Sequence, residues 1–136
     1  MATFNLEGYI ETAWGGGELT GIDQFVAEDC VFRDVSGSIR LTGIDALTAN
    51  LRQWHEVFDD PHVEIRRVLE DRSSPTIVWD WTLTARPAIA RNSADNRAEV
   101  SIYGITFATI LDGKIAEEMN CTDMKEFVDL VKGCRE

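Results

Sequence analysis

The sequence predicts an α+β domain: a strongly bent antiparallel sheet whose concave face is covered by helices. Three observations lead there. Helical periodicity is concentrated before Pro61, strand-like stretches follow it as far as Thr122, and the two kinds of segment do not alternate. Without βαβ alternation a parallel doubly wound sheet is not expected. A chain of 136 residues fits one domain, taken as residues 1–136, with a real core of its own.

The elements follow in order. Phe4, Leu6, Tyr9, Ile10, Ala13 and Trp14 recur at helical spacing over about residues 4–14, and the glycines at 15–17 stop that helix. Leu19, Ile22, Phe25 and Val26 predict a second helix over about 18–28, followed by a short strand through Val31 and Phe32. Ile44, Leu47, Leu51, Trp54 and Phe58 give the apolar face of a third helix over about 44–58, with His55 beside that face. Strands are expected over about 62–70, 76–86 and 97–111, and "DGK" at 112–114 turns the last of these into a hairpin with "IAEEMNCT". Asp123 and Glu126 form an Asp-type capping box for a closing helix over about 124–132. On the 76–86 strand, Ile77, Trp79, Trp81, Leu83 and Ala85 share the core face, while Asp80, Thr82 and Thr84 face outward or toward a subunit contact.

Composition narrows the function classes. With 44% hydrophobic and 27% charged residues the chain reads as a soluble globular protein. No apolar run approaches the roughly 20 residues that span a membrane, so no membrane association is expected. "MATFNLEGYIETAW" already carries Glu7 and Glu11 and shows neither a basic stretch nor an apolar core, so no secretory signal is expected. Cys30, Cys121 and Cys134 are odd in number and far apart, which fits a reducing cytoplasm better than a disulfide framework. With only His55 and His62 beside them, no metal site is expected. A net charge of −11 with no compensating basic stripe disfavours nucleic acid.

Four segments in order carry a family resemblance: "FVAEDCVFRDVSG", "LTGIDALTANL", "WTLTA" and "GITFATILDGKIAEEMNCTDM". Together they resemble the nuclear-transport-factor-two-like superfamily, and within it the SnoaL-like and ketosteroid-isomerase-like group. The resemblance implies a cone-shaped curved sheet of the cystatin-like α+β barrel type, a pocket between sheet and helices, and a homodimer through the outer sheet face. It leaves function open, because the superfamily holds isomerases, polyketide cyclases, dehydratases, epoxide hydrolases and non-catalytic dimers.

Site residues follow from that resemblance. Asp34, with Val35, Ser36 and Gly37, matches the Asp-x-x-Gly spacing of the ketosteroid isomerase base; the alternative is a turn carboxylate, or one paired with Arg33 or Arg40. Tyr9 matches the oxyanion tyrosine of the first helix, and is otherwise a core tyrosine. The second, acidic oxyanion donor of that group falls near Ile105, and no acid occurs between Glu99 and Asp112, which speaks against steroid isomerisation itself. His55 is an auxiliary acid or base, or else a structural histidine. Asn120 lies where the superfamily's epoxide hydrolases carry an Asp; "VWDW" lacks their Arg-x-Asp pair, so Asn120 is read as a hydrogen-bonding group. Asp123 is read as a helix cap and Asp80 as an outer-face residue. Phe32, Trp14, Trp54, Trp79, Trp81 and Phe58 are the expected pocket lining, or alternatively plain core.

The expectation is therefore a cofactor-independent isomerase or cyclase acting on a hydrophobic or polycyclic carbonyl compound. The alternatives are a non-catalytic dimer that binds a ligand or protein, and a SnoaL-like dehydratase, hydroxylase component or epoxide hydrolase.

Overall fold

A computed structural model describes residues 4–15, 19–90 and 99–135. Three α-helices, α1 (Leu6–Trp14), α2 (Ile44–Val57) and α3 (Lys125–Arg135), accompany six strands. These are β1 (Val26–Asp34), β2 (Arg40–Thr42), β3 (Phe58–Glu70), β4 (Thr76–Pro87), β5 (Val100–Leu111) and β6 (Lys114–Asp123). They form one unclosed, curved sheet in the order β2-β1-β6-β5-β4-β3. The α+β class expected from the sequence stands. One pairing departs from it: β1 runs parallel to β6, while the other pairs are antiparallel.

The expected second helix is replaced. Ile22–Gln24 make a single 3-10 turn, and the chain enters β1 at Val26. Ile22, Phe25 and Val26 mimic a helical stripe, but Val26, Cys30 and Phe32 are buried at even spacing as strand residues. Their packing in the sheet overrides the local pattern. Phe58 likewise leaves α2 in an extended conformation and starts β3 four residues earlier than expected. Pro61 is tolerated there because β3 is an edge strand and its register shifts between Asp59 and His62. Residues 16–18 and 97–98, over which a glycine stop, a helix and a strand are expected, lie outside the described residues.

Local rules hold elsewhere. Asn5 caps α1 by accepting from the Gly8 N–H at 3.0 Å. Asp112 and Gly113 both have positive φ, the geometry of the two-residue turn that matches strand twist, and they join β5 to β6. Asp123 accepts from the Lys125 N–H at the start of α3, but Glu126 does not close the box; it accepts from Ser101 N on β5 at 2.7 Å. The main core gathers Tyr9 and Ala13 of α1, Leu47 and Leu51 of α2, and Val26, Cys30, Phe32, Trp79, Ala108 and Ile115 of the sheet. Each large apolar side chain buried there contributes roughly 1.5–3 kcal/mol. A second cluster around Phe58, Leu83 and Ile102 takes in Met124 and Phe127, which anchors α3 across the end of the sheet.

Candidate functional site

The concave face of the sheet and helices α1 and α2 leave a cavity of about 320 Å³ between them. All six expected aromatic residues line it: Trp14, Phe32, Trp54, Phe58, Trp79 and Trp81. Leu41, Leu47, Leu51 and Leu83 belong to the same apolar wall. The volume is at the lower end of what small-molecule sites use.

One end of the cavity is polar, and its centre is a residue the sequence reading passed over. Glu118 on β6 faces inward and is only 6% exposed. Its Oε1 accepts from the Tyr9 hydroxyl at 3.0 Å, and its Oε2 accepts from Asn120 Nδ2 at 2.8 Å. Asn120 Oδ1 in turn accepts from Thr106 Oγ1 at 2.5 Å, and Thr106 Oγ1 accepts from Trp81 Nε1 at 2.8 Å. Tyr9, Trp81, Thr106, Glu118 and Asn120 all border the cavity. Burial pushes the Glu118 carboxyl up to about 7, against the opposing pull of its hydrogen bonds from Asn120 and Tyr9. Burial also raises the Tyr9 phenol, reinforced by the Glu118 charge, so Tyr9 stays protonated. A carboxylic acid poised near neutrality beside a buried phenol can give or take a proton at physiological pH.

Asp34 stands at the rim of the same cavity, in a different state. It accepts from Ser36 Oγ at 2.6 Å, Ser38 Oγ at 2.7 Å and Ile39 N at 2.9 Å. Gly37, at φ +77°, allows the turn that folds these donors back. The hydrogen bonds from Ser36, Ile39 and Ser38 hold its carboxyl well below the usual carboxylate range. A carboxylate so strongly stabilised as the anion is a weak base. None of these donors is an arginine; Arg33 reaches Glu117 instead, at 3.3 Å.

The other candidates separate clearly. His55 lies outside the cavity lining, and its Nε2 donates to the Ala13 carbonyl at 2.7 Å while its ring packs on Trp14. It ties α2 to α1. Ile105, the position expected for a second oxyanion donor, points outward and is exposed; its inward neighbour is Thr106. Asp80 is held on the outer face by Arg67, and Asp123 serves the start of α3. Among the described residues, no group of three His, Cys, Asp or Glu side chains could hold a metal ion, and no helix is long and apolar enough to cross a membrane. Glu118 had one available signal: it precedes Asn120 by two residues and so shares its face of β6.

A curved, open sheet holding a pocket against its helices defines a protein of the nuclear-transport-factor-two-like α+β class. Within that class the chain belongs to the SnoaL-like domain family, whose sequence profile matches residues 6–118. No curated protein matches the chain. Among solved structures it is similar to AclR, a proposed hydroxylase from Streptomyces galilaeus, with a TM-score of 0.71, 18% identity and 93% of each chain covered. A proposed SnoaL-like polyketide cyclase from Shewanella denitrificans OS-217 gives a TM-score of 0.70 at 16% identity, again with 93% of each chain covered. A proposed ketosteroid isomerase from Kribbella flavida DSM 17836 gives 0.64 at 19% identity, covering 86% of this chain and 73% of that one. At these identities the likeness establishes the fold alone.

Proposed function

We propose that the protein is a cofactor-independent acid–base enzyme acting on a hydrophobic carbonyl compound, as an isomerase or an aldol-type cyclase. The observation that carries this reading is the buried Glu118 carboxyl, hydrogen-bonded to Tyr9 and Asn120 at the polar end of an aromatic cavity. Glu118 takes the base role that the Asp-x-x-Gly spacing suggested for Asp34. In its ionised form it removes a proton alpha to the substrate carbonyl, and the electron pair of that C–H bond passes to the carbonyl oxygen. Tyr9 donates to the resulting enolate oxygen. Return of the proton from Glu118 to another carbon completes an isomerisation. Attack of the enolate on a second carbonyl, with the proton delivered to the new alkoxide, completes a cyclisation. Asp34 keeps a fixed negative charge at the rim, where it orients or repels groups of the ligand.

The outer sheet face supports a homodimer. Tyr103, Ile105 and Phe107 stand in a row on β5, each 41–44% exposed. A second copy would cover the exposed row.

The test of the catalytic reading needs no knowledge of the natural substrate. Exchange of the alpha protons of a bicyclic ketone such as 2-tetralone into heavy water is followed by proton NMR. The wild-type protein is expected to accelerate exchange over buffer. Glu118→Gln should lose roughly 100-fold or more of that acceleration and Tyr9→Phe a comparable amount, while Asp34→Asn loses under about tenfold. Wild-type exchange rates in Glu118→Gln would overturn the assignment.

A further inference from the structure

We infer that Thr106 and Trp81 are positioning residues that fix the working proton of Glu118 on Oε1, the oxygen facing Tyr9. The inference rests on the acid–base reading of Glu118 and adds to it which oxygen carries the proton and what decides this. The starting point is a group whose hydrogen-bonding role has no alternative. Trp81 Nε1–H can only donate. It donates to Thr106 Oγ1, so the Thr106 hydroxyl is left to give its own hydrogen to Asn120 Oδ1.

That contact sets the Asn120 amide. With Oδ1 held by Thr106, Nδ2 points at Glu118 Oε2, and an amide N–H can only donate. The reversed amide would place Nδ2 against a Thr106 oxygen already accepting from Trp81 and strand the Thr106 hydrogen in a site where Thr106 is 2% exposed. It would also set Oδ1 against Glu118 Oε2. In the observed orientation Oε2 is met by a donor, so a proton there has no acceptor. On Oε1 the proton has one: it is donated to the Tyr9 oxygen, and the Tyr9 hydrogen becomes free to turn to a ligand. Protonation of Glu118 and presentation of the Tyr9 hydrogen are thus one event.

The sequence is built for this relay at a place that looks unremarkable. Trp81 pairs across the sheet with Gly104, and Thr106 with Asn120. The Trp81 indole lies over Gly104, where a Cβ would collide with its Cζ2 and Cε2. Only the missing side chain lets the ring cross β5 and reach Thr106. Among the described residues, the titratable groups that act on Glu118 are Tyr9 from α1 and the buried Cys30 from β1, while Arg33 and Asp34 of β1 border the same cavity; Thr106 and Ala108 of β5 contribute none.

Titration of Glu118 by carbon NMR, with glutamate labelled at Cδ and the signal assigned by its loss in Glu118→Gln, tests the relay without turnover. In Thr106→Val the amide is released and can turn Oδ1 toward Glu118, which favours the protonated acid. The Glu118 midpoint is expected to rise by about one pH unit, a tenfold gain in proton affinity. Thr106→Ser should restore the wild-type midpoint, and Trp81→Phe should raise it by a smaller amount. An unchanged midpoint in Thr106→Val, or a Thr106→Ser variant that resembles it, overturns the relay and leaves the acid–base reading standing. If Thr106→Val does not fold, the Ser and Phe variants decide: no rise in Trp81→Phe overturns the relay. A wild-type midpoint at an ordinary carboxylate value overturns the acid–base reading itself.

Discussion

The Tyr9 hydroxyl meets Glu118 Oε1 at 3.0 Å, joining the first helix to the last strand inside the core. Burial of that carboxyl, which outweighs the opposing pull of the Tyr9 hydrogen bond, predicts how the fold responds to pH. Glu118 titrates at about 7 in the folded protein against an ordinary 4.5, so the folded state binds the proton more tightly than the unfolded chain. The stabilising contribution of Glu118 is then complete below about pH 4.5 and is lost as pH rises through 7, by about 3 kcal/mol in all. The thermal midpoint is expected to fall by roughly 10 °C between about pH 5 and pH 9. Glu118→Gln mimics the neutral acid and should flatten that dependence. Parallel slopes for the two proteins in calorimetry would contradict it.

Gly104→Ala is expected to be among the more damaging single-methyl changes in the sheet. The new Cβ meets the Trp81 ring edge, and on a paired central strand the backbone has little room to withdraw. Overpacking of this kind costs about 1–3 kcal/mol. Denaturant unfolding would give the loss, and Trp81 emission should change as the ring leaves Thr106. Unaltered stability would mean that the ring moves freely.

His55→Phe separates a fold role from a site role. The variant keeps a ring against Trp14 but loses the bond to the Ala13 carbonyl. A loss of about 1 kcal/mol is expected, with the Glu118 midpoint unmoved. A shifted midpoint would return His55 to the site.

Ile105→Asp tests the outer face. Sedimentation should find the wild-type protein dimeric and the variant monomeric, with the cavity residues undisturbed because Ile105 points away from them. A wild-type monomer at tens of micromolar would remove the second copy from the account.

Much of the sheet was legible because β4 and β5 alternate without interruption: Trp79, Leu83 and Ala85 are buried on one face, and Asp80 lies on the other. The aromatic lining was legible for the same reason. Glu118 was not. Counting in twos from the buried Ile115 turns Glu117 inward and Glu118 outward, but the β5–β6 register shifts between Thr109 and Ile110 and reverses the parity. A bulge of one residue carries no composition of its own here. Asp34 was visible as a residue near the pocket through the resemblance of its Asp-x-x-Gly spacing to the ketosteroid isomerase base; its three hydrogen-bond donors depend on how Ser36 and Ser38 fold back, which spacing does not encode. The early strand β1 was misread because its partner, β6, lies at the far end of the chain.

That distant partnership also orders assembly in time. The β5–β6 hairpin closes through two residues and is local in sequence, whereas the parallel β1–β6 seam must bring together segments most of the chain apart. Closing so long a loop is slow, and contacts of this separation come late in folding. Until the seam closes, Glu118 lacks the wall that excludes water and is an ordinary charged carboxylate. Its near-neutral titration therefore belongs to the finished molecule alone, a marker of completion that no partly assembled chain can counterfeit.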